Sequence, residues 1–385
     1  MTAVPLERYR HAPELGPAPL FFSGGNGLRT LSRHLVELTH NSIHLVTPFD
    51  SGGSSAELRR AFRMPAVGDL RNRLLALADP TTSGTRELHD LLAFRLPSEG
   101  EPEALNAHLA RMVAGSDPLV AAIPEPLRGI VRNHLDYFVD AMPRTFDLRG
   151  AAIGNLVLTG GYLSQDRDLE RVVHFFSRLV KTQGVVRPIV DADLHLAAEL
   201  RDGRRVAGQH RITGKGAPPL TSPVERLFLT ESLMRPAPHR VPIDKAVARL
   251  IEGADLICYP VGSFYSSLLA TLLPDGVADA VVRSDAPKVY VPNPDGTDPE
   301  ERGLDLRRKV LRLLACLDEG TSEHAAPARL VRYVVVDPEA VTLSDGTSHF
   351  LQDLGIELVD TRLLTPERAP YYDDERLAAT ILSLV

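Results

Sequence analysis

Cysteine is scarce: Cys258 and Cys316 are the only two in 385 residues, each in an apolar stretch and neither in a C-x-x-C pair. That excludes a disulfide framework and a zinc cage, and it fits a reducing compartment. No run approaches the ~18 apolar residues that a membrane helix needs. The amino-terminal stretch carries Glu7, Arg8, Arg10, His11 and Glu14 where a signal peptide has its apolar core. The expectation is a cytoplasmic protein with no membrane partner. Also missing are the P-loop pattern G-x-x-x-x-G-K-[ST], the G-x-S-x-G elbow and H-E-x-x-H. The 13 histidines are scattered, and no His or Cys pair has metal-ligand spacing. His134 and His174 fall in helical patterns, where a structural or partly exposed histidine is the plain reading. Positive charge is in deficit: 43 Lys and Arg against 50 Asp and Glu leave a net charge of −7. Such a chain repels a phosphate backbone unless its bases gather on one face, which argues against polymeric nucleic acid. The basic run Arg201 to Arg211 is split by Asp202 and Gly203 and reads as the charged edge of a hairpin.

What remains is ordinary globular material, 44% hydrophobic and 24% charged. The length suits one large α/β unit with an insertion, or two domains. Pro5, Pro13, Pro17 and Pro19 suggest an extended lead-in over 1–19. Pro19 to Phe22 then reads as a first strand. Leu28, Leu31, Leu35 and Leu38 follow at helical spacing, and Ile43, Leu45 and Thr47 form a second strand. Strand, glycine loop, helix and strand make a βαβ unit with a parallel pair. Leucines at helical spacing over about 86–146, broken by Pro97 and Pro124, predict a helical insertion. Ile153 to Leu163 resumes apolar, glycine-bearing character, and Leu169 to Val180 predicts a helix. Asp202-Gly203 between apolar runs predicts a hairpin inside a β-rich excursion over about 185–213. Strands at Asp255 to Tyr259, Lys288 to Val291 and Val331 to Val336 complete an α/β pattern with a mainly parallel sheet.

Glycine between a strand and a helix leaves backbone N–H groups free to face an anion, and the helix dipole adds positive potential there. Gly24, Gly25, Asn26 and Gly27 occupy that position. Taken alone, the loop is equally a phosphate cradle or a tight structural turn. Its partial G-x-G-x-x match ends in Thr30, which disfavours a dinucleotide oxidoreductase. At the end of the second strand stand Asp50, Ser51, Gly52, Gly53, Ser54 and Ser55, where ligands bind in open α/β sheets. The same residues also read as a helix cap. Gly68, Asp69, Arg71 and Asn72 form a third turn, with Asp69 as a cap and Arg71 as a forked donor for phosphate. Gly154 and Asn155 follow a short run. Gly262, Ser263 and Tyr265 repeat the strand, Gly-Ser turn, helix order as a further pocket wall or an ordinary turn. A metal in such a site would be Mg²⁺ held by carboxylate and substrate phosphate, since hard cations prefer oxygen.

Together these segments resemble the 2-phospho-L-lactate transferase (CofD) family and its relatives, the uridine diphosphate-sugar-binding factors associated with gluconeogenesis and cell shape. G-G-N-G-L at Gly24 to Leu28 resembles their G-G-T-G-L, Asp50 to Ser55 their D-D-G-G-S-S, and Gly68 to Asn72 their G-D-I-R-N. Gly154-Asn155 resembles the end of G-H-S-L-G-N, and Ala198 to Gly208 resembles A-E-L-x-D-G-x-x-V-x-G. Gly262 to Ser267 resembles G-S-L-Y-T-S, and Val289 to Asn293 their K-V-Y-V-C-N stretch. The resemblance implies a Rossmann-like fold and a nucleotide or nucleotide-linked small molecule as ligand. It implies that the Gly24 and Gly262 loops approach a nucleotide diphosphate, with Asp50 as catalytic residue and Mg²⁺ ligand. Two functions follow from it: a transferase acting on a nucleotide diphosphate-linked phosphoester, or a regulatory protein that binds a nucleotide-sugar without converting it. Asn26 stands for a threonine, Ser51 for the second aspartate and Ala151 for a histidine. These departures bear on transfer chemistry more than on nucleotide binding. Self-association into a homo-oligomer is left open, and the chain past Asn293 carries no interpretable motif.

Overall fold

Leu20 and Phe22 point to one face of a sheet and Phe21 to the other, all fully buried. A strand buried on both sides needs a layer against each face, the condition of a parallel α/β sheet. A computed structural model describes residues 4–24, 27–81, 83–214, 218 and 220–385, without the side chains of 4 and 5. In it, β1 (Pro19–Ser23), β2 (Ile43–Val46), β3 (Val185–Pro188), β7 (Leu256–Tyr259), β8 (Lys288–Tyr290), β9 (Tyr333–Val336) and β10 (Glu357–Asp360) form a seven-stranded sheet. Its order is β10-β9-β8-β7-β1-β2-β3, and every pair is parallel. The fold is Rossmann-like α/β.

The chain leaves β1 toward β2 and β3 on one side, and leaves β7 toward β8, β9 and β10 on the other. The direction reverses between β1 and β7. Turns leaving their carboxyl ends therefore diverge and open a crevice, the usual ligand position in such sheets. A second sheet, β5-β4-β6, is antiparallel and built from β4 (His195–Leu200), β5 (Arg205–Ala207) and β6 (Val224–Thr230). Asp202 and Gly203 turn the β4–β5 hairpin, with Gly203 in the left-handed region at φ 83°. Helices Thr85–Ala93, Pro102–Ala114 and Leu127–Ala141 bury Leu88, Leu109, Leu135 and Phe138 in one core with the Ile153–Ser164 helix. No helix among the described residues is long and apolar enough to cross a membrane.

Several expectations shift. Residues Val4–His11 form a helix rather than an extended lead-in; Pro5 lies in its first turn, where proline removes no helical hydrogen bond. Strand β3 belongs to the main sheet, beside β2, so the β-rich excursion starts at β4. Ile212 lies in a short helix, Gln209–Thr213, and the third strand of the small sheet is β6. The short run at Gly154 and Asn155 is the first turn of the Ile153–Ser164 helix.

Candidate functional site

Two glycine turns meet at the reversal point. A side chain on Gly27 would begin 3.1 Å from the Gly262 Cα, and one on Gly24 would begin 2.5 Å from Thr47 Cγ2 and 3.0 Å from Ser267 Cβ. Gly27 is glycine because backbone passes backbone there, and Gly24 because the Thr47 and Ser267 side chains close on it. Helix Arg29–Val36 follows, with Leu31, Ser32 and Leu35 buried and, among the described residues, no side chain capping its first turn. Gly25 and Asn26 lie outside the described residues.

At the end of β2, Asp50 Oδ1 accepts from the Gly52 N–H at 3.0 Å, which folds the turn and faces the carboxylate into the cavity. Behind it the Arg59 guanidinium donates to Phe49 O and Asp50 O at 3.2 Å each, to Leu194 O at 2.6 Å and to Asp193 Oδ1 at 2.9 Å. Arg59 therefore fixes the Asp50 turn from inside the core. Its signal was legible: Ser55, Leu58, Arg59 and Phe62 share the buried stripe of helix Gly53–Phe62, and a charge in an apolar stripe needs partners. Ser51, in place of the family's second aspartate, is committed elsewhere. Its Oγ lies 2.8 Å from His210 Nδ1 and accepts the His210 N–H at 3.2 Å, fastening the small sheet's Gln209–Thr213 helix over the cavity.

The Gly68 turn lies beside this corner. Gly68 opens helix Gly68–Ala76, and a side chain there would begin 2.9 Å from Ser55 Oγ and 3.7 Å from Asp50 Oδ2. Asp69 faces the cavity. Ser54, Ser55, Asn72, Gly154 and Asn155 do not line it: Asn155 Nδ2 donates to Ser54 Oγ at 2.9 Å, bracing helix against helix. Arg71, expected as a phosphate donor, is buried away from the cavity with Nη2 on Asn72 Oδ1 at 2.8 Å. Burial first, then the Arg95 charge, brings its pKa down to about 10. A side chain on Gly154 would begin 2.5 Å from Arg71 Cδ, so Gly154 makes room for that arginine. Arg73 is likewise buried and braces the helix that follows the glycine loop. Its Nη1 donates to Leu28 O at 2.8 Å and to Ser32 Oγ, tying this helix to the start of the Arg29 helix.

At the end of β7, Gly262 adopts φ 135° and is clamped by Asn293, whose Oδ1 accepts its N–H and whose Nδ2 donates to its carbonyl, both at 2.8 Å. The following turn, Phe264–Leu269, is wide: Ser263 O accepts from both Ser267 N and Leu268 N at 3.0 Å. Its first amides do not face the cavity unoccupied. Phe264 N–H donates to Asp298 Oδ2 at 2.7 Å, and Tyr265 N–H and Ser266 N–H donate to Glu300 Oε2 at 2.8 and 2.9 Å. Burial, then the neighbouring Asp298 charge, pushes Glu300 up to about 7. The Gly262 turn, which the family resemblance implies approaches a diphosphate, thus has these amides held by carboxylates from beyond β8. Ser263 does line the cavity, whereas Tyr265 turns to a groove on the far side with Leu269, Leu272 and Arg312.

The cavity measures about 660 Å³, within the range of small-molecule sites. Its floor is Gly24, Gly27 and Gly262, with Asp50, Gly52, Gly53 and Asp69 on one side and Asp298 and Glu300 on the other. The rim adds His210, Gln209, Arg368, Tyr371 and Asp374. No motif flags the last three. Their segment reaches the cavity only because helix Asp374–Leu382 packs Leu377, Ala378 and Ile381 against Leu28, Leu31 and Leu35. The lining is rich in carboxylates, and Arg368 is already paired with Asp374. No group of three or more His, Cys, Asp or Glu is placed to hold a metal by itself among the described residues. Asp50 and Asp69 offer oxygen donors on one wall, a set that fits a hard cation completing its shell with water and phosphate.

Comparison with known proteins agrees with this architecture. A member of the UPF0052 family from Bacillus halodurans, solved by crystallography, superposes with a TM-score of 0.70 at 23% identity, covering 95% of this chain and 99% of that one. The gluconeogenesis factor of Bacillus subtilis is 29% identical over 277 residues, 72% of this chain and 68% of that protein. The gluconeogenesis factor of Listeria monocytogenes is 28% identical over 283 residues, 73% of this chain and 67% of that protein. The family model for 2-phospho-L-lactate transferase CofD matches residues 20–354. This chain belongs to the CofD family.

Proposed function

We propose that this chain is a regulatory protein that binds a nucleoside diphosphate-linked small molecule in the cavity at the reversal point. One observation carries the reading: a floor of bare glycine backbone at Gly24, Gly27 and Gly262, at the amino end of the Arg29 helix, opposite the Asp50 carboxylate. Backbone stripped of side chains admits a bulky diphosphate, and a helix start favours its charge. The carboxylates around it do not, so a divalent cation enters with the ligand. Mg²⁺, when bound, neutralises phosphate charge; Asp50 and Asp69 are the residues that would hold it. Binding without conversion is favoured by Ser51, which holds His210 in place of supplying a second carboxylate.

Transfer chemistry is the second reading, and Asp50 favours it: Oδ1 is engaged by Gly52, while the carboxylate faces the cavity and could orient an acceptor hydroxyl. Calorimetric titration with uridine and guanosine diphosphates and their sugar conjugates, with and without Mg²⁺, tests both. Saturable, Mg²⁺-strengthened binding is expected. Heat with no nucleotide at all would remove both readings. Asp50→Asn should abolish the Mg²⁺ dependence, and mass spectrometry of a phospholactyl-nucleotide incubated with a deazaflavin acceptor separates them. Product formation would replace the regulatory reading with the transferase.

A further inference from the structure

We propose that the segment between β10 and the last helix is a base-reading strap, and that the Tyr371 ring stacks on the nucleobase of the bound ligand. The inference rests on the nucleotide-binding reading above. It concerns residues 361–373, which lie beyond the residues 20–354 matched by the family model.

The strap is anchored at both ends. Leu363 N–H and Leu364 N–H donate to Asp337 Oδ2 at 2.7 and 2.8 Å, and Asp373 N–H donates to Leu363 O at 2.8 Å. Arg376 Nη1 closes on Leu364 O at 3.0 Å, and the ion pair of Arg368 with Asp374 spans the middle. A segment fixed in this way holds its backbone in place before any ligand arrives, which limits the ordering cost of binding. Tyr371 and Tyr372 carry the only phenol rings among the described lining residues. Tyr372 is buried, whereas Tyr371 leaves 58% of its surface open. An exposed ring on an anchored backbone, beside a cavity whose floor suits phosphates, is the arrangement a planar heterocycle stacks on. The geometry also connects the two ends. Leu377, just after the strap, lines the cavity and packs with Leu28 at the start of the glycine-loop helix. A ligand with its diphosphate at Gly24 and Gly27 thus has the strap beside it.

The chain contains no tryptophan, which allows a direct test. Tyr371→Trp introduces a single indole, whose emission should be quenched to saturation by uridine and guanosine diphosphates with Mg²⁺. It should stay flat with inorganic pyrophosphate, which has no base to stack. In calorimetry, Tyr371→Ala should weaken nucleotide affinity about tenfold, the value of one base–aromatic stack, and leave pyrophosphate affinity unchanged; Tyr371→Phe should bind as the parent does. Because the ring is exposed, thermal melts of all three variants should match the parent. Nucleotide binding with flat indole emission and unchanged Tyr371→Ala affinity would overturn the strap and leave the nucleotide reading standing. Absence of nucleotide binding by the unaltered chain would overturn both.

Discussion

The turns after β1 and β7 lie side by side and share one grammar of strand, glycine and helix, yet they end in opposite chemical states. Among the described residues no side chain caps the helix of the first, and its Gly27 lies against the Gly262 backbone. The second has its first amides taken by Asp298 and Glu300. Sequence grammar around a turn states what the backbone can do. Whether the amides are available depends on what arrives from elsewhere in the chain, here the residues after β8. The cavity is consequently lopsided, with bare glycine at the turn after β1 and amides already held by carboxylates at the turn after β7.

The most drastic way to break this contrast is to release the β2 end of the open side. Arg59→Ala removes a buried guanidinium and leaves the carbonyls of Phe49, Asp50 and Leu194 without it. Urea denaturation should register a loss of about 4 kcal/mol, together with the ligand response. The closed side should reveal itself through pH. Glu300 has an ordinary value of 4.5 raised to about 7 in the fold. Its neutral form is therefore favoured by folding, and that contribution is complete below the ordinary value and lost as pH rises through about 7. Glu300→Gln should flatten the fall in stability across this window, by up to about 3 kcal/mol; parallel pH profiles of parent and variant would refute the assignment. Gly24→Ala fills the contact with Thr47 and Ser267, which should cost about 2 kcal/mol and suppress nucleotide binding while Gly203→Ala, in a hairpin turn open to solvent, leaves binding intact. The smallest effect belongs to the seam between the sheets. Ser51→Ala loses the His210 bond and should lower stability by about 1 kcal/mol in thermal melts.

The parallel sheet and the open side were legible because their signals are local. A continuous apolar run marks β1 as a strand buried on both faces, and glycine between strand and helix marks the turns. The family likeness at Gly24 to Leu28, Asp50 to Ser55 and Gly68 to Asn72 falls on three turns near one another in the fold. Arg71 was misread because a guanidinium next to a glycine turn looks solvent-facing until helix Ile153–Ser164 closes over it. Arg73, two positions on, carries the connection instead, and its partners at Leu28 and Ser32 are distant in sequence. Tyr265 was misread for a related reason: the wide turn at Phe264–Leu269 changes the side on which each side chain emerges. Asp298, Glu300, Arg368 and Tyr371 carried no readable signal, since nothing near them in sequence announces a partner thirty or more residues away.

The meeting of Gly27 with Gly262 also limits how such a protein can be retuned. A side chain on Gly27 would press on the Gly262 backbone, and Gly262 holds φ 135°, a conformation that strains any residue with a Cβ, so mutation has little to vary there and ligand choice cannot be adjusted from below. Selectivity must be written at the margin, in His210, Gln209, the residues around Glu300 and the carboxyl-terminal segment. An engineer seeking a new ligand for this scaffold should leave the floor untouched and build libraries around the rim.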